Sequence, residues 1–487
     1  MTGPFPGWTR RAFMQVAAVV GGPGWLWACR SDGAGPEDPS PGSEDRFPLR
    51  FAPSVSPDGL TLTGAPGSAD LGGVVASVWA LNGVVSSPTL RARRGSGVRI
   101  SMRNQLPQDL ILHWHGITPP EAMDGHPRLA VGPGGSYAYN FTIGDRAGTY
   151  WYHSHTHMHT GEQTYRGIAG LFLITDDEEE ALGLPGGARE LPLIVQDRRV
   201  DTAGRPVFDL GGPTMMAGLM GTEPFVNGVR RPYLNVDSAL YRLRVLNGSN
   251  ARIMRLAMSD GRPVTLIGND GGLLPAPVSL PHVDLAPAER VDLLLDLRSL
   301  AVGDRVMLRS IQFQIPGGMG FMGGANLQGQ PLDLLQFRVT RRVEDPALVP
   351  DTLPPLDGPR EAEAVRERTF RFQSLQMQHT INGVSFAMAR EDVVVPFGET
   401  EIWTLVNESA LPHPVHLHAT HFRVLSRSGG RGAVQPWEAG LKDTVLLLPQ
   451  ETVRVAVRFT VERGLFLLHC HNLEHEDMGM MMNIRVA

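Results

Sequence analysis

The sequence predicts an all-β protein built from three tandem β domains. Three observations indicate this fold class: abundant turn-forming residues, strand-like alternation of polar and apolar residues, and a pattern that recurs three times. The 487 residues include 56 glycines and 39 prolines, which favour short strands joined by turns over long helices. The chain is also too long for one ordinary core, since a domain takes roughly 150 residues.

The first 29 residues are expected to be a targeting segment. The stretch TRRAFMQ (Thr9–Gln15) resembles a twin-arginine export signal, and the apolar stretch after it is too short to span a bilayer. Cys29 ends LWAC, which resembles a bacterial lipobox, so lipid attachment and simple cleavage nearby both remain open. We expect export to the periplasm, cell envelope or extracellular space, with membrane attachment only if Cys29 is lipidated.

The recurring pattern is an Asn-Gly turn, a short apolar strand and a strand of alternating polarity that ends in asparagine. The turns begin at Asn82, Asn227 and Asn382, and the second strands end at Asn104, Asn247 and Asn407. Histidine-rich segments follow the first and third copies but not the second, which predicts that the second domain is a spacer. The predicted parts are a signal segment, a flexible linker and three β domains, at residues 1–29, 30–48, 49–178, 179–345 and 346–487.

The net charge argues against one class of partner, and the cysteine content leaves one thiol without a disulfide partner. The formal net charge of −6 argues against a nucleic-acid partner, since a phosphate backbone requires clustered positive charge. With Cys29 in the leader or at its junction, Cys470 has no partner for an internal disulfide. A free thiol in an oxidising compartment is a liability unless it is protected or used. We expect the protein to be monomeric.

Ten of the 16 histidines fall in four short clusters. The clusters are HWHG, YWYHSH, HPVHLH and HCHNLEH, and each contains an H-x-H pair. Because side chains alternate along a strand, each pair presents both imidazoles on one face. A single pair is more often a surface accident or a satisfied core histidine, but four pairs in two domains indicate metal binding.

Cys470 lies between two of these histidines, and its neighbours narrow the choice of metal. Two histidines, one cysteine and a weak axial methionine form a blue-copper electron-transfer site, whereas a zinc site needs no methionine. His475 and Met480 follow Cys470 at equal spacing, so one loop could supply three ligands. If Cys470 points to one face, His469 and His471 point to the other, toward different metal ions.

At these residues the sequence resembles the multicopper oxidases, specifically the three-domain laccase type. Four motifs match in order and spacing, and the resemblance covers essentially the whole chain after the linker. It implies three tandem cupredoxin-like, Greek-key domains. It also implies four copper ions, one of type 1, one of type 2 and a type 3 pair.

The resemblance further implies which residues bind each ion. The type 1 copper would be held by His413, Cys470, His475 and the axial Met480. The type 2 copper would take His113 and His416, and the type 3 pair would take His115, His153, His155, His418, His469 and His471. The trinuclear cluster is therefore expected between the first and third domains, each of which supplies four histidines.

Two acids match positions that carry proton chemistry in similar enzymes. Asp124 matches an acid near the type 2 copper and the water channel, and Glu476 matches an acid credited with delivering protons to reduced oxygen. Reducing O2 to two waters consumes four protons, so a buried cluster needs positioned carboxylates. Asp443, in LKDTV, is expected to be structural, and His157 and His159 are left without a metal.

The implied reaction is oxidation of a donor by single electrons at the type 1 copper, coupled to reduction of O2 to water at the trinuclear cluster. Electrons would enter through the exposed edge of a type 1 histidine and pass through Cys470, His469 and His471. The donor remains open between phenols or aromatic amines, as in laccases, and Cu(I). Soft thioethers that could collect Cu(I), or simply fill core gaps, are Met215, Met216, Met220, Met319 and Met322.

Two other classes remain as alternatives. A copper-dead or copper-binding scaffold of the cell envelope would have the same fold but should have lost ligands, and none is missing. An enzyme resembling copper nitrite reductase would have no use for the second histidine of each H-x-H pair.

Overall fold

A computed structural model describes residues 45–316, 327–375 and 378–487. Cys29, the twin-arginine stretch, Met319 and Met322 lie outside the described residues. Within the described ranges, no helix is both long and apolar enough to cross a membrane.

The first group of strands forms two sheets that face each other across a hydrophobic core. One sheet has the order β4-β3-β6-β8 and the other β2-β5-β10-β9-β7, and their core contains Trp114, Tyr139 and Phe172. The strands are β1 (Phe47–Pro48), β2 (Ser54–Val55), β3 (Asp58–Asp70), β4 (Val75–Leu81), β5 (Thr89–Arg93), β6 (Gly97–Asn104), β7 (Leu112–His115), β8 (Ser136–Thr142), β9 (Gly148–Ser154) and β10 (Ala169–Thr175).

The second group forms a seven-stranded sheet and a six-stranded sheet with their own core. The strands are β11 (Glu190–Arg198), β12 (Glu223–Val226), β13 (Val229–Arg230), β14 (Pro232–Ser238), β15 (Leu240–Asn247), β16 (Met254–Met258), β17 (Val264–Asn269), β18 (Gly272–Leu280), β19 (Val283–Leu285), β20 (Arg290–Asp296), β21 (Arg305–Ser310) and β22 (Leu332–Arg342). The sheet orders are β13-β12-β11-β15-β20-β17-β18 and β1-β14-β22-β21-β16-β19. Strand β1, at the end of the predicted linker, thus pairs with β14 of this group.

The third group forms two five-stranded sheets, with the orders β24-β23-β26-β30-β28 and β25-β32-β31-β27-β29. Cys470 and Met480 belong to the core between them. The strands are β23 (Ala364–Leu375), β24 (Gln378–Ile381), β25 (Val393–Val395), β26 (Thr400–Asn407), β27 (His413–Leu417), β28 (Arg423–Ser428), β29 (Thr444–Leu447), β30 (Thr452–Arg458), β31 (Gly464–Cys470) and β32 (Met481–Val486).

Among the described residues helices are few and short, which agrees with the predicted all-β class. The α-helices are α1 (Thr160–Arg166), α2 (Asp177–Glu180), α3 (Pro213–Ala217) and α4 (Leu473–Asp477). Single 3₁₀ turns occupy Glu121–Met123, Pro127–Leu129, Gly187–Arg189, Glu361–Glu363 and Pro436–Glu438. The sheets group along the chain in the order of the three predicted domains, whose boundaries stay a prediction.

The three Asn-Gly turns share one backbone geometry. Asn82, Asn227 and Asn382 have φ angles of 54°, 50° and 53°, a left-handed conformation that asparagine tolerates. In each turn the asparagine Oδ1 accepts a 2.8 Å hydrogen bond from a backbone N–H of an earlier strand, at Thr63, Ile194 and Arg371 respectively. The recurring sequence pattern therefore corresponds to a recurring local structure.

The asparagine that ends the second strand of each copy also has one repeated role. Its Oδ1 accepts a hydrogen bond from the backbone N–H two residues later, and its Nδ2 donates to a carbonyl of the following loop. These residues are Asn104, Asn247 and Asn407. Because the loops after Asn104 and Asn407 lead directly into β7 and β27, these contacts fix the start of two histidine-bearing strands.

Candidate metal centre

Strand pairing brings the H-x-H pairs together in two sheets. His113 of β7 lies opposite His153 of β9, and His416 of β27 lies opposite His469 of β31. The second histidine of each pair follows on the same face, as strand alternation requires. Each of the two sheets therefore presents four histidines.

The two sets of four meet between the first and third groups of sheets. His115 and His416 stack with ring centroids 3.6 Å apart, and His113 and His418 stack at 3.8 Å. None of the eight imidazoles is more than 1% exposed; they are His113, His115, His153, His155, His416, His418, His469 and His471. The structure thus gathers these eight predicted ligands into one buried cluster, which we call the histidine cluster.

Ring nitrogens of the histidine cluster lie within hydrogen-bonding distance of one another. The Nε2 atoms of His418 and His469 are 3.1 Å apart, and Nε2 of His155 is 3.4 Å from that of His469. Nε2 of His113 is likewise 3.4 Å from Nε2 of His416. Such groups of lone pairs aimed at a common point are the arrangement that a metal ion needs.

The opposite nitrogens of several rings are held by the protein, which orients the converging ones. Nδ1 of His113 lies 2.6 Å from the Asp124 carbonyl oxygen, and Nδ1 of His418 lies 2.7 Å from Asp124 Oδ2. Nδ1 of His416 lies 2.8 Å from the Asp443 carbonyl oxygen. The carbonyl contacts require Nδ1–H on His113 and His416, leaving Nε2 of both rings free to bind a metal.

Several buried ring nitrogens have no hydrogen-bond partner. They are Nδ1 of His115, Nε2 of His153, Nδ1 of His155 and both nitrogens of His471. Leaving buried polar atoms unpaired costs free energy, and functional sites are where such atoms occur. A soft or borderline cation such as copper would satisfy Nδ1 of His115, Nε2 of His153 and one nitrogen of His471, so the donor set fits the ions that the sequence implies.

Burial favours the neutral form of seven of the imidazoles in the histidine cluster. It lowers the pKa of His155 to about 3, and mutual repulsion with His469 adds to the effect. Burial is also the main cause that lowers the pKa values of His113, His115, His153, His418, His469 and His471 well below the usual range. Neutral imidazole is the form that binds a metal.

A second potential site surrounds Cys470. Its Sγ lies 3.5 Å from Nδ1 of His413 and 3.7 Å from Nδ1 of His475, and the two nitrogens are 3.2 Å apart. Met480 is fully buried in the same core, and its backbone is hydrogen bonded to both Cys470 and His475. Burial raises the pKa of the Cys470 thiol, so a bound cation is needed to favour the thiolate.

Cys470 also connects the two sites through its own backbone. His469 and His471 lie in the histidine cluster, while the Cys470 side chain faces His413 and His475. Three consecutive residues therefore contribute to both sites, as the alternation of strand β31 predicts.

The two predicted acids border the histidine cluster. Asp124 is fully buried, and burial raises its pKa well above the usual range. The Glu476 carboxylate lies 3.2 Å from Nδ1 of His469 and 3.6 Å from Nδ1 of His155. Burial also raises the pKa of Glu476, which favours its protonated form.

Asp443 contacts the cluster more directly than its expected structural role suggests. Its Oδ1 lies 3.0 Å from Nε2 of His115 and accepts a 2.8 Å hydrogen bond from Nη1 of Arg290. Next to it, the ammonium of Lys442, the only lysine of the chain, is buried between Asp270 at 2.9 Å and Glu289 at 3.1 Å. The Asp443 carboxylate thus holds the His115 ring and neutralises a buried arginine.

Replacing Asp443 with asparagine should destabilise the protein strongly, because Arg290 would lose a buried counter-charge. Breaking a buried ion pair costs about 3–5 kcal/mol, and we expect the low end since Arg290 also pairs with Asp270. Thermal unfolding of the copper-loaded protein measures the loss. Asp333→Asn is the control, since Asp333 pairs with Arg309 at the surface and should change little; equal effects would contradict the assignment.

The structure contradicts one expectation about electron entry. Neither His413 nor His475 has an exposed edge, because both are fully buried. Nε2 of His475 donates a 2.7 Å hydrogen bond to the Met216 carbonyl of helix α3. The prediction that the edge of a type 1 histidine is exposed to solvent is therefore wrong, because helix α3 covers His475.

Other histidines are placed outside both sites. His379 of β24, which the sequence analysis did not single out, stacks on His475 with ring centroids 3.9 Å apart. No spacing signal could have found it, because it is a lone histidine outside the H-x-H pairs. His157 packs edge-on against Phe386, and His159 directly precedes α1.

Comparisons with known proteins agree with this geometry. Family models of multicopper oxidases match residues 66–179 and 357–487. The laccase of Bacillus subtilis (strain 168) is 29% identical over 465 residues, covering 83% of this chain and 89% of that protein. The cell division protein FtsP of Shigella dysenteriae serotype 1 is 33% identical over 444 residues, covering 90% of each chain. The crystal structure of McoA multicopper oxidase from Aquifex aeolicus matches at a TM-score of 0.83 and 33% identity, covering 91% of this chain and 99% of that chain.

These likenesses confirm the predicted fold class of cupredoxin-like β domains. Proteins of this family bind four copper ions, and the histidine cluster and the Cys470 site are compatible with them. The chain belongs to the multicopper oxidase family and is of its laccase/CueO type.

Proposed function

We propose that the protein is a copper-dependent oxidase that couples one-electron oxidation of a small donor to the four-electron reduction of O2 to water. One observation supports the proposal more strongly than any other. The thiol of Cys470 faces His413 and His475, while the two flanking residues enter the histidine cluster. A covalent path of three residues thus joins a one-electron site to a buried site with ligands for several ions.

The geometry supports the following assignment of ligands. His413, Cys470, His475 and Met480 hold the type 1 copper. His113 and His416 hold the type 2 copper, and His115, His153, His155, His418, His469 and His471 hold the type 3 pair. Bound copper supplies the electron-transfer chemistry that amino-acid side chains lack.

Two carboxyl groups deliver protons in this proposal. Glu476 lies beside His155 and His469, and its raised pKa lets it hold a proton next to the place where oxygen is reduced. Asp124 orients His113 and His418 through its carbonyl and carboxylate oxygens. A buried acid with a raised pKa is suited to proton transfer near neutral pH.

Helix α3 favours Cu(I) as the donor. It covers His475, so a bulky phenol has no direct contact with that ring. Met215 and Met216 of α3 are partly exposed, whereas Met220 is buried. The backbone of Met216 contacts His475, and thioethers of partly exposed methionines in the same helix can receive a soft monovalent cation. Phenols and aromatic amines are the second candidate donors, which the likeness to a laccase supports.

Oxygen consumption measured with Cu(I) and with a phenol, side by side, tests this choice. The double substitution Met215→Leu and Met216→Leu should raise KM for Cu(I) about tenfold, since two soft ligands are lost, and leave phenol oxidation unchanged or faster. Met220→Leu is the matched control, because its sulfur is buried in the same segment. Unchanged Cu(I) kinetics in the double variant would contradict the proposal.

Two alternatives are less well supported. A scaffold of the cell envelope without copper has no need of twelve retained ligands; copper content and blue absorption of the purified protein decide this. A nitrite reductase-like enzyme has no need of the second histidines, all of which are buried in the histidine cluster.

The proposed location is the periplasm, cell envelope or extracellular space. The arginine pair of TRRAFMQ supports export by the twin-arginine route. Fractionation of cells that express the chain with Arg10→Lys and Arg11→Lys tests it, because an export signal of this type should then fail.

A further inference from the structure

A small cavity lies between the first and second groups of sheets. Its volume is about 40 Å³, and Thr164 and Tyr165 of α1, Arg198 of β11 and Phe225 of β12 line it. None of the proposed copper ligands is among the lining residues. The cavity is therefore distinct from both metal sites.

Arg198 provides a buried positive charge at this cavity. The residue is 7% exposed, and its guanidinium stacks over the Tyr165 ring at 4.2 Å from the centroid. Its Nη2 donates a 3.0 Å hydrogen bond to Oε1 of Gln196, but its Nη1 is buried without a partner.

No described carboxylate forms an ion pair with Arg198. Asp197, the preceding residue, accepts a 3.1 Å hydrogen bond from Nε of Arg252 instead. Glu223, opposite Arg198 in the sheet, accepts from Nε of Arg231 at 2.6 Å. Both carboxylates are thus bonded to another arginine, so the buried charge of Arg198 is costly and an anion from solution would offset it.

The cavity offers one further hydrogen-bond donor for an anion besides Arg198. The hydroxyl of Thr164, which is 1% exposed, has no hydrogen-bond partner and is a second available donor. Arg166 also lines the cavity, but Glu162 already neutralises it at 2.8 Å. Of Arg166 and Arg198, the two arginines that line the cavity, Arg198 is thus the one without an ion-pair partner.

We propose that this cavity binds one small monovalent anion, held by Nη1 of Arg198 and the hydroxyl of Thr164. A cavity of this volume holds a few water-sized groups, since one water needs roughly 10–15 Å³ of such space. Chloride or bicarbonate fits, and an aromatic acid does not. Because the site joins α1 to β11, the bound anion stabilises the contact between the first two groups of sheets.

The test is thermal unfolding of the full-length, copper-loaded protein at constant ionic strength, with sodium gluconate replaced stepwise by sodium chloride or by sodium bicarbonate. The unfolding temperature should rise and saturate with one or both anions, because a ligand that binds only the folded state stabilises it. The Arg198→Met variant should lose this rise, and Arg166→Gln, the matched control, should keep it.

Thr164→Val provides a milder second variant in case Arg198→Met folds poorly; it should weaken the apparent affinity several-fold. A rise that persists unchanged in both variants would place the anion elsewhere, for example at the copper ions, and would overturn the proposal. The absence of any anion-specific rise in the native protein would also overturn it. If chloride produces the rise, anomalous diffraction from bromide-soaked crystals should show a peak beside Arg198 Nη1, and a peak absent there contradicts the assignment.

Discussion

Replacing Cys470 with serine should abolish the blue absorption of the copper-loaded protein and the oxidation of every donor. The thiol is the only sulfur ligand that also continues, through its backbone, into the histidine cluster. A serine hydroxyl keeps the size of the side chain but cannot supply a soft thiolate to copper. Visible absorption, copper content and oxygen consumption of the purified variant measure the effect.

Met478→Leu serves as the matched control for the Cys470 substitution. Met478 lies in the same loop but is partly exposed, whereas Met480 is fully buried beside Cys470. The control should therefore retain the blue absorption. The histidine cluster should still bind copper in Cys470→Ser, so a copper content reduced by about one ion is expected; a variant that remains blue would disprove the assignment.

Replacing Glu476 with glutamine should slow oxygen reduction by about 10²–10⁴-fold, which is the usual contribution of a positioned general acid. The glutamine keeps the shape of the side chain and its place beside His155 and His469, but it cannot release a proton. Reduction of the type 1 site by the donor should be unchanged, because Cys470, His413 and His475 are untouched. Stopped-flow bleaching and reoxidation of the blue band separate the two steps.

Glu474→Gln is the control for the Glu476 substitution. Glu474 lies on the same helix and burial raises its pKa to about 7, yet its oxygens accept hydrogen bonds from Leu219 N–H and Asn250 Nδ2. It contacts no histidine of the cluster in these bonds. If both variants slowed reoxidation equally, the proton-delivery role of Glu476 would be refuted.

Much of the site could be predicted because its signals are local. Strand alternation, which is visible in the sequence, alone places His113 with His115 and His416 with His418 on common faces. The Asn-Gly turns were equally readable, since Asn82 and its two counterparts adopt the backbone angles that this pair favours.

The rest of the site depends on contacts between segments that lie far apart in the chain, and the sequence does not reveal these contacts. His379 stacks on His475, and the Met216 carbonyl caps the same ring, although nothing near either residue indicates it. The pairing of Asp443 with Arg290 joins the second and third groups of sheets, so it exists only after the tertiary fold forms. Pattern analysis finds which residues can bind metal but not what covers or supports them.

The burial of Lys442 has a practical consequence for handling the protein. Its ammonium is enclosed by Asp270 and Glu289, and the chain has no other lysine. Reagents that acylate or cross-link lysine side chains therefore find no accessible target on the folded molecule. Attachment to electrodes or resins through lysine amines should fail, and coupling through surface carboxylates is the workable route.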